Sequence, residues 1–295
     1  MHVVASGPVG PRRRLGAELR RLRTGAGLHL DQVAGRLHCS TSKISRLETG
    51  KGIPKPADVR ELIRIYGVAA DTERDMLMRL VRESRTEGWW ESYTDGVQPE
   101  RYFLNELGRY AALETEATGL QSFDYGILHG LLQTADYARA VLTVQLPDHD
   151  GHEIDQLVEL RERRQEALRR PDPLRLTVVV DESVLVRAVG SSAIMAAQMS
   201  HLLDLMELPS VVIRVLPFAA GLRRAHKGHF MILRIPAALG SDVVYTEGHA
   251  GETFLEAESD VDLYRDVFRD ALARSLEPGE SREAVQRRAH ENAPP

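Results

Sequence analysis

The sequence predicts a mainly α, multidomain chain: a small N-terminal bundle of five helices, then a larger α+β domain with a small, mainly antiparallel sheet. Three observations predict it. At 295 residues and 43% hydrophobic content the chain can bury two cores, since single domains typically hold about 100 to 200 residues. Apolar residues recur at helical spacing as far as Arg85 and give way to short β-branched runs beyond Leu174. Charge divides too: residues 1–70 hold 13 Lys and Arg against 5 Asp and Glu, a net of +8, and the remainder holds 25 against 38, a net of −13.

A flexible N-terminus is expected over 1–11. Leu15, Leu19 and Leu22 then lie at i, i+4 and i+7, one apolar stripe on a helix from Arg12 to Thr24, which Gly25 and Gly27 stop. A short second helix fits Leu30 to Leu37, with Leu30, Val33, Ala34 and Leu37 inward. His38, Cys39 and Ser40 form a tight connection, and Ser40 or Thr41 caps a third helix ending near Glu48 or Thr49, before Gly50. After Pro54 and Pro56 a fourth helix carries Val59, Leu62, Ile63 and Tyr66 on one face, and a fifth spans Asp71 to Arg85.

In the third helix only Ile44 and Leu47 are apolar, so Thr41, Ser42, Lys43, Ser45 and Arg46 point outward. Two short helices joined by a tight turn, the second polar outside, are what reading a DNA major groove requires. Base edges there offer donors and acceptors, which groups such as Thr41, Ser42 and Arg46 can match. The basic N-terminal charge suits a polyanion, because cations displace the counterions condensed on phosphates.

The runs Leu28-His29-Leu30-Asp31-Gln32-Val33-Ala34 and Ser40-Thr41-Ser42-Lys43-Ile44-Ser45-Arg46-Leu47-Glu48-Thr49-Gly50-Lys51 resemble the phage-repressor type, or xenobiotic-response-element (XRE), helix-turn-helix of lambda-repressor-like fold. The likeness covers about residues 12 to 68. It implies base-reading positions at Thr41, Ser42 and Arg46, and phosphate positions at Ser40, Lys43, Lys51 and Lys55, extended by Arg12, Arg13 and Arg14. It also implies a structural salt bridge between Arg23 and Glu48. Two residues depart from the pattern: Leu30 stands where Gln commonly contacts a phosphate, and His29 replaces the usual Ser or Thr cap, so a less firm start to the second helix is expected, offset by Asp31.

The domain boundary is placed near residue 86, giving a DNA-binding domain over 12–86 and a regulatory or partner-binding domain over 87–280. Trp89 and Trp90, the only tryptophans, stand near Tyr93, Pro99, Tyr102 and Phe103. Such dense aromatics belong to a core or an interface, or else form a ligand cage with Phe123. Glu100 to Leu142 reads as helix interrupted around Ser122 to Gly130, and Asp155 to Arg170 as a charged helix. Strands are predicted at Leu174–Val180, Val211–Leu216, Gly228–Arg234, Val243–Thr246 and Glu252–Leu255, with helices at Glu182–Val189 and Ser192–Glu207. A last amphipathic helix carries Val261, Tyr264, Phe268, Ala271 and Leu272, and 281–295 reads as a polar, fraying tail.

Chemistry finds little support. His226, His229, His249, Glu247 and Glu252 cluster in sequence, but not at zinc-motif spacing, and surface or interface histidines are the better reading. No glycine-rich phosphate loop or nucleophile elbow appears, and Cys39 is the single cysteine, read as a small buried apolar residue. The expectation is no enzyme, no catalytic residues, no metal and no cofactor. Arg161, Arg163, Arg164, Arg169 and Arg170 alternate with Glu159, Glu162 and Glu166, which reads as a helix face of local ion pairs, part of which could dock on an acidic protein. Without an apolar span or signal core, a cytoplasmic protein with no membrane association is expected.

The segments Gly130-Leu131-Leu132-Gln133-Thr134-Ala135-Asp136-Tyr137-Ala138-Arg139-Ala140, Arg163-Arg164-Gln165, Asp181-Glu182, Gln198 with His201-Leu202-Leu203, and Val215-Leu216-Pro217-Phe218-Ala219-Ala220-Gly221 are similar to the uncharacterised C-terminal domain of actinobacterial regulators of the WhiJ type. That resemblance implies a regulator often paired with a small acidic partner protein. Together these readings predict a transcriptional regulator, homodimeric on a two-fold operator in double-stranded DNA, controlled through its C-terminal domain by a protein partner or a ligand. Two alternatives stay open: an antitoxin-like protein-interaction role, and a small-molecule-sensing repressor built around Trp89, Trp90 and Phe123.

Overall fold

The computed structural model describes residues 9–94, 107–249 and 251–292. The readings made at Pro99, Tyr102 and Phe103, the start of the helix expected from Glu100, and residues 1–8 of the expected flexible N-terminus lie outside them. The chain divides into two compact units. The first holds the chain through Glu91 together with Leu107–Glu116 and Ile235–Ser241; the second holds Ala117–Arg234 and the chain from Asp242 onward.

Five helices build the first unit's bundle: α1 (Val9–Gly25), α2 (Leu30–Arg36), α3 (Thr41–Glu48), α4 (Pro56–Ile65) and α5 (Asp71–Glu83). Helix starts at Val9, so 9–11 are ordered as its first residues rather than forming part of a flexible arm. Leu15 and Leu19 of α1, Val33 of α2, Ile44 of α3, Val59 of α4 and Leu77 of α5 meet in one core. At the start of α2 the Gln32 side chain accepts the N–H of the capping residue His29 at 2.8 Å. After a turn of helix, α6 (Glu91–Thr94), comes α7 (Leu107–Glu116). Trp90 packs in this unit against Gly88 and Gly108, where a side chain would strike the indole.

The second unit is built on a six-stranded sheet in the order β3-β2-β1-β4-β5-β6. Its strands are β1 (Gly119–Asp124), β2 (Arg175–Asp181), β3 (Val211–Leu216), β4 (Phe230–Arg234), β5 (Val243–Gly248) and β6 (Gly251–Leu255). Three ladders are antiparallel, β1 with β4, β4 with β5 and β5 with β6. The other two are parallel, β1 with β2 and β2 with β3, so the sheet is mixed. Between β1 and β2 run α8 (Ala135–Gln145) and α9 (Gly151–Gln165); α10 (Glu182–Val186) and α11 (Ser192–Leu205) lead to β3. α12 (Glu258–Arg274) lays Val261, Phe268 and Ala271 on Phe123, Val179 and Phe230.

Two expectations fail here. Gly119–Asp124, read as part of an interrupted helix, is the sheet's inner strand β1; buried on both faces, it shows no apolar alternation. The polar tail expected over 281–295 is helical as far as Asn292, within α13 (Pro278–Asn292). Ser281 and Val285 are fully buried, and the chain entering α13 pairs with Val215 on the outer edge of β3. Leu276 N–H donates to the Val215 carbonyl at 2.8 Å, and Ser281 Oγ accepts the Val215 N–H at 3.0 Å. The outward-facing backbone groups of Val215 on this edge strand are thereby satisfied by the chain's own backbone and a hydroxyl.

Candidate nucleic-acid interface

Short-range backbone chemistry positions α3. After α2, His38 adopts a left-handed conformation (φ 51°), and the Cys39 and His38 N–H groups return to the Ala34 and Gly35 carbonyls. Glycine normally fills that site. Ser40 is in extended backbone, and its Oγ accepts the Lys43 N–H at 3.2 Å, satisfying one of the helix's open donors. At the far end Gly50 (φ 69°) repeats the left-handed stop, with Lys51 N–H donating to the Arg46 carbonyl at 2.9 Å and Gly50 N–H to that of Leu47 at 3.2 Å. α3 is therefore a two-turn rod with both ends fixed.

Ile44 and Leu47 bury its inner side. Thr41, Ser42 and Arg46 are exposed, and at about 100° per residue they fall within an arc of about 140°. Ser40, Lys51 and Lys55 are exposed near the ends of α3 and the start of α4. Lys43 is half-buried, and its Nζ lies 2.6 Å from Asp58 Oδ2 in the first turn of α4. That pair was not foreseen, although an acid in a first helical turn is its sequence trace.

The N-terminal arginines divide. Arg14 is exposed, but Arg12 and Arg13 are buried, so the phosphate role expected of these two is corrected. Arg13 Nη2 donates to the Ser241 carbonyl at 2.9 Å. Burial holds the Arg12 guanidinium below its usual range, Arg109 adds to this, and Glu91 opposes it. Three successive arginines on a helix cannot share one face, which is why a run that reads as a basic arm supplies one outward cation.

Arg23 and Glu48 tie α1 to the end of α3. Nε to Oε1 is 2.6 Å, Nη2 to Oε2 is 3.0 Å, and Arg23 Nη1 also donates to the Leu28 carbonyl at 2.8 Å. α1 crosses so close that a Cβ on Gly16 would stand 2.6 Å from the carbonyl oxygens of Leu47 and Glu48.

The aromatic cage is also corrected. Trp89 and Trp90 belong to the first unit, edge to face at 5.9 Å, with Trp89 Nε1 donating to Thr115 Oγ1 at 3.2 Å. Phe123 is fully buried in the second unit's core. The tryptophans and Phe123 thus belong to different units.

Two histidines of the 226–249 stretch, His226 and His229, find partners that the sequence did not show. His226 Nε2 lies 3.0 Å from Asp181 Oδ2 at the end of β2, and His229 Nδ1 lies 3.5 Å from Asp124 Oδ1 at the end of β1. Among the described residues no three His, Cys, Asp or Glu side chains converge as a metal site would need. The Arg-rich helix face is corrected in part. Arg163 pairs locally with Glu166, whereas Arg164 is buried and Arg161 turns inward to Gln133.

No helix among the described residues is long and apolar enough to cross a membrane. Residues 14–77 match the family model described as a Helix-turn-helix domain, which supports a DNA-binding regulator. No curated protein and no solved structure matches the chain. Residues 107–287 match the model described as Domain of unknown function (DUF5753). Since that match spans more than half of the chain, the protein belongs to the DUF5753 family, with a helix-turn-helix domain ahead of the family domain.

Proposed function

We propose that this chain is a sequence-specific transcriptional regulator of the XRE kind that lays α3 in the major groove of its operator. Thr41, Ser42 and Arg46 read base edges. Ser40, Lys51, Lys55 and Arg14 hold phosphates, and Lys43 joins them by exchanging Asp58 for the backbone. The carrying observation is that all three proposed reading side chains share the solvent side of a short rod whose two ends are capped. Such a helix can present hydrogen-bonding groups to base edges in the groove. We further propose that it acts in the cytoplasm as a non-enzymatic homodimer on a two-fold site, and that its second unit receives the controlling signal. The likeness of that unit to actinobacterial regulators of the WhiJ type supports a small acidic protein as one source of the signal.

The test begins with mapping of bound chromosomal DNA to find the operator. On that operator Arg46→Ala should cost about 1 to 3 kcal/mol and change random-sequence binding little. Lys51→Ala should weaken every sequence alike. Equal losses from Arg46→Ala on operator and random DNA would remove α3 as the reading element.

A further inference from the structure

The Arg13 side chain joins two turns of the first unit that lie far apart in sequence. Its stem lies on Gly50, the left-handed stop of α3, where a Cβ would stand 2.9 Å from Arg13 Cγ. Its guanidinium lies on Gly240 and Ser241. Nη2 donates to the Ser241 carbonyl at 2.9 Å, and a Cβ on Gly240 would stand 3.1 Å from the same nitrogen. Arg13 is only 8% exposed, so water does not readily replace these partners.

Both turns bear on the reading helix or on the sheet. The stop at Gly50 is closed by Arg46, whose carbonyl accepts the N–H groups of Lys51 at 2.9 Å and of Gly52 at 3.0 Å. The proposed base reader is therefore also the acceptor that ends its own helix, and the direction in which its side chain leaves α3 depends on that turn. Residues 235–241, which belong to the first unit, leave β4 at one end and lead into β5 at the other. β4 and β5 are paired neighbours in the second unit's sheet, and Asp242 alone separates Ser241 from β5. A movement of either strand reaches the Ser241 carbonyl through the chain itself. α1 meets a second segment of this kind at its first turn, where a Cβ on Gly10 would strike the carboxylate of Glu116, the last residue of α7 before the chain enters β1.

We propose that Arg13 is a positioning residue that passes a displacement of the β4–β5 connection to the reading end of α3, through Ser241, Gly50 and the Arg46 backbone. A long stem and a planar guanidinium touch both turns at once, and a buried charge-assisted bond does not break without cost. This rests on the reading that the second unit receives the controlling signal, and it names the route by which the signal reaches Arg46.

Hydrogen exchange of the full chain tests the route without DNA. At Gly240 φ is +124°, and a methyl group would press on the guanidinium. Gly240→Ala should speed exchange of the Lys51 and Gly52 N–H groups about tenfold while amides of α5, such as Leu80, keep their rates. In an Arg13→Gln background the same substitution should add nothing, because the link it acts through is gone. Arg13→Lys, which keeps the buried charge but has no fork to span both turns, supplies a second background in which the chain folds if the first does not. Operator affinity should fall about tenfold with Gly240→Ala and no further in either Arg13 background. Faster exchange throughout the first unit, equal acceleration with and without Arg13, or no acceleration at all overturns the proposal, as does an unchanged operator affinity. Failure of the α3 reading would show itself separately, as an Arg46→Ala chain that loses operator and random DNA alike.

Discussion

Glu48 shows how one side chain can tie two helices together. Its carboxylate is gripped by two nitrogens of Arg23 where α1 meets the last turn of α3. The pair is largely buried, with side-chain exposures of 14% for Arg23 and 6% for Glu48. Removing one member of such a pair leaves a buried charge. We expect Glu48→Ala to cost about 3 to 5 kcal/mol in chemical denaturation; a loss near zero would show that the pair is dispensable. His129 offers a pH signature. Burial first, then Arg164, His229 and Arg161, push its pKa well below the usual 6.5. The unfolded chain therefore binds a proton below about pH 6.5 that the folded one refuses, so stability falls as pH drops through that value. His129→Gln should flatten the decline in melting temperature between about pH 7 and pH 5. An unchanged slope would assign the decline to other groups.

Elements were legible where local chemistry alone decides them. Prolines, glycines and capping side chains mark α2, α3 and α4, so their ends follow from residues such as Ser40, Gly50 and Pro56. β1 was not legible, because Gly119-Leu120-Gln121-Ser122-Phe123-Asp124 becomes a strand through its neighbours on both sides rather than through its own pattern. Nor was α13, whose polar sequence hides Ser281, Ala284 and Val285 on one buried stripe. At the interface, Thr41, Ser42 and Arg46 could be placed outward from the positions of Ile44 and Leu47. The inward turn of Arg12, Arg13, Arg161 and Arg164 depends on long-range partners that no local pattern reports. The α1–α3 crossing supplies its own test. A methyl group on Gly16 meets backbone, not a yielding side chain. Gly16→Ala should therefore cost about 1 to 3 kcal/mol, and operator affinity should fall with the melting temperature. Affinity preserved at a lowered melting temperature would separate this crossing from reading.

The whole molecule carries its positive excess in residues 1–70 and its negative excess in the remainder, which favours residues 1–70 for attraction to a polyanion. With about four cations engaged per head, the slope of log affinity against log salt should be about −4 for one head and about −7 for two. That titration, paired with sedimentation of the free protein, tests the proposed dimer: a slope near −4 from a monomer would reject it. The first unit is also not one continuous stretch of chain. Ser241 supplies the acceptor for buried Arg13, so a fragment cut near residue 86 would lack that carbonyl and all of α7.

The seal over β3 carries a consequence for biosynthesis. Leu276 and Ser281 complete the hydrogen bonding of Val215, which leaves the ribosome some sixty residues earlier. A nascent chain must keep the flank of that strand bare until those later residues emerge. The pairing of Val215 therefore waits on residues some sixty positions further along, and a chaperone that shields exposed strands has its window in that interval.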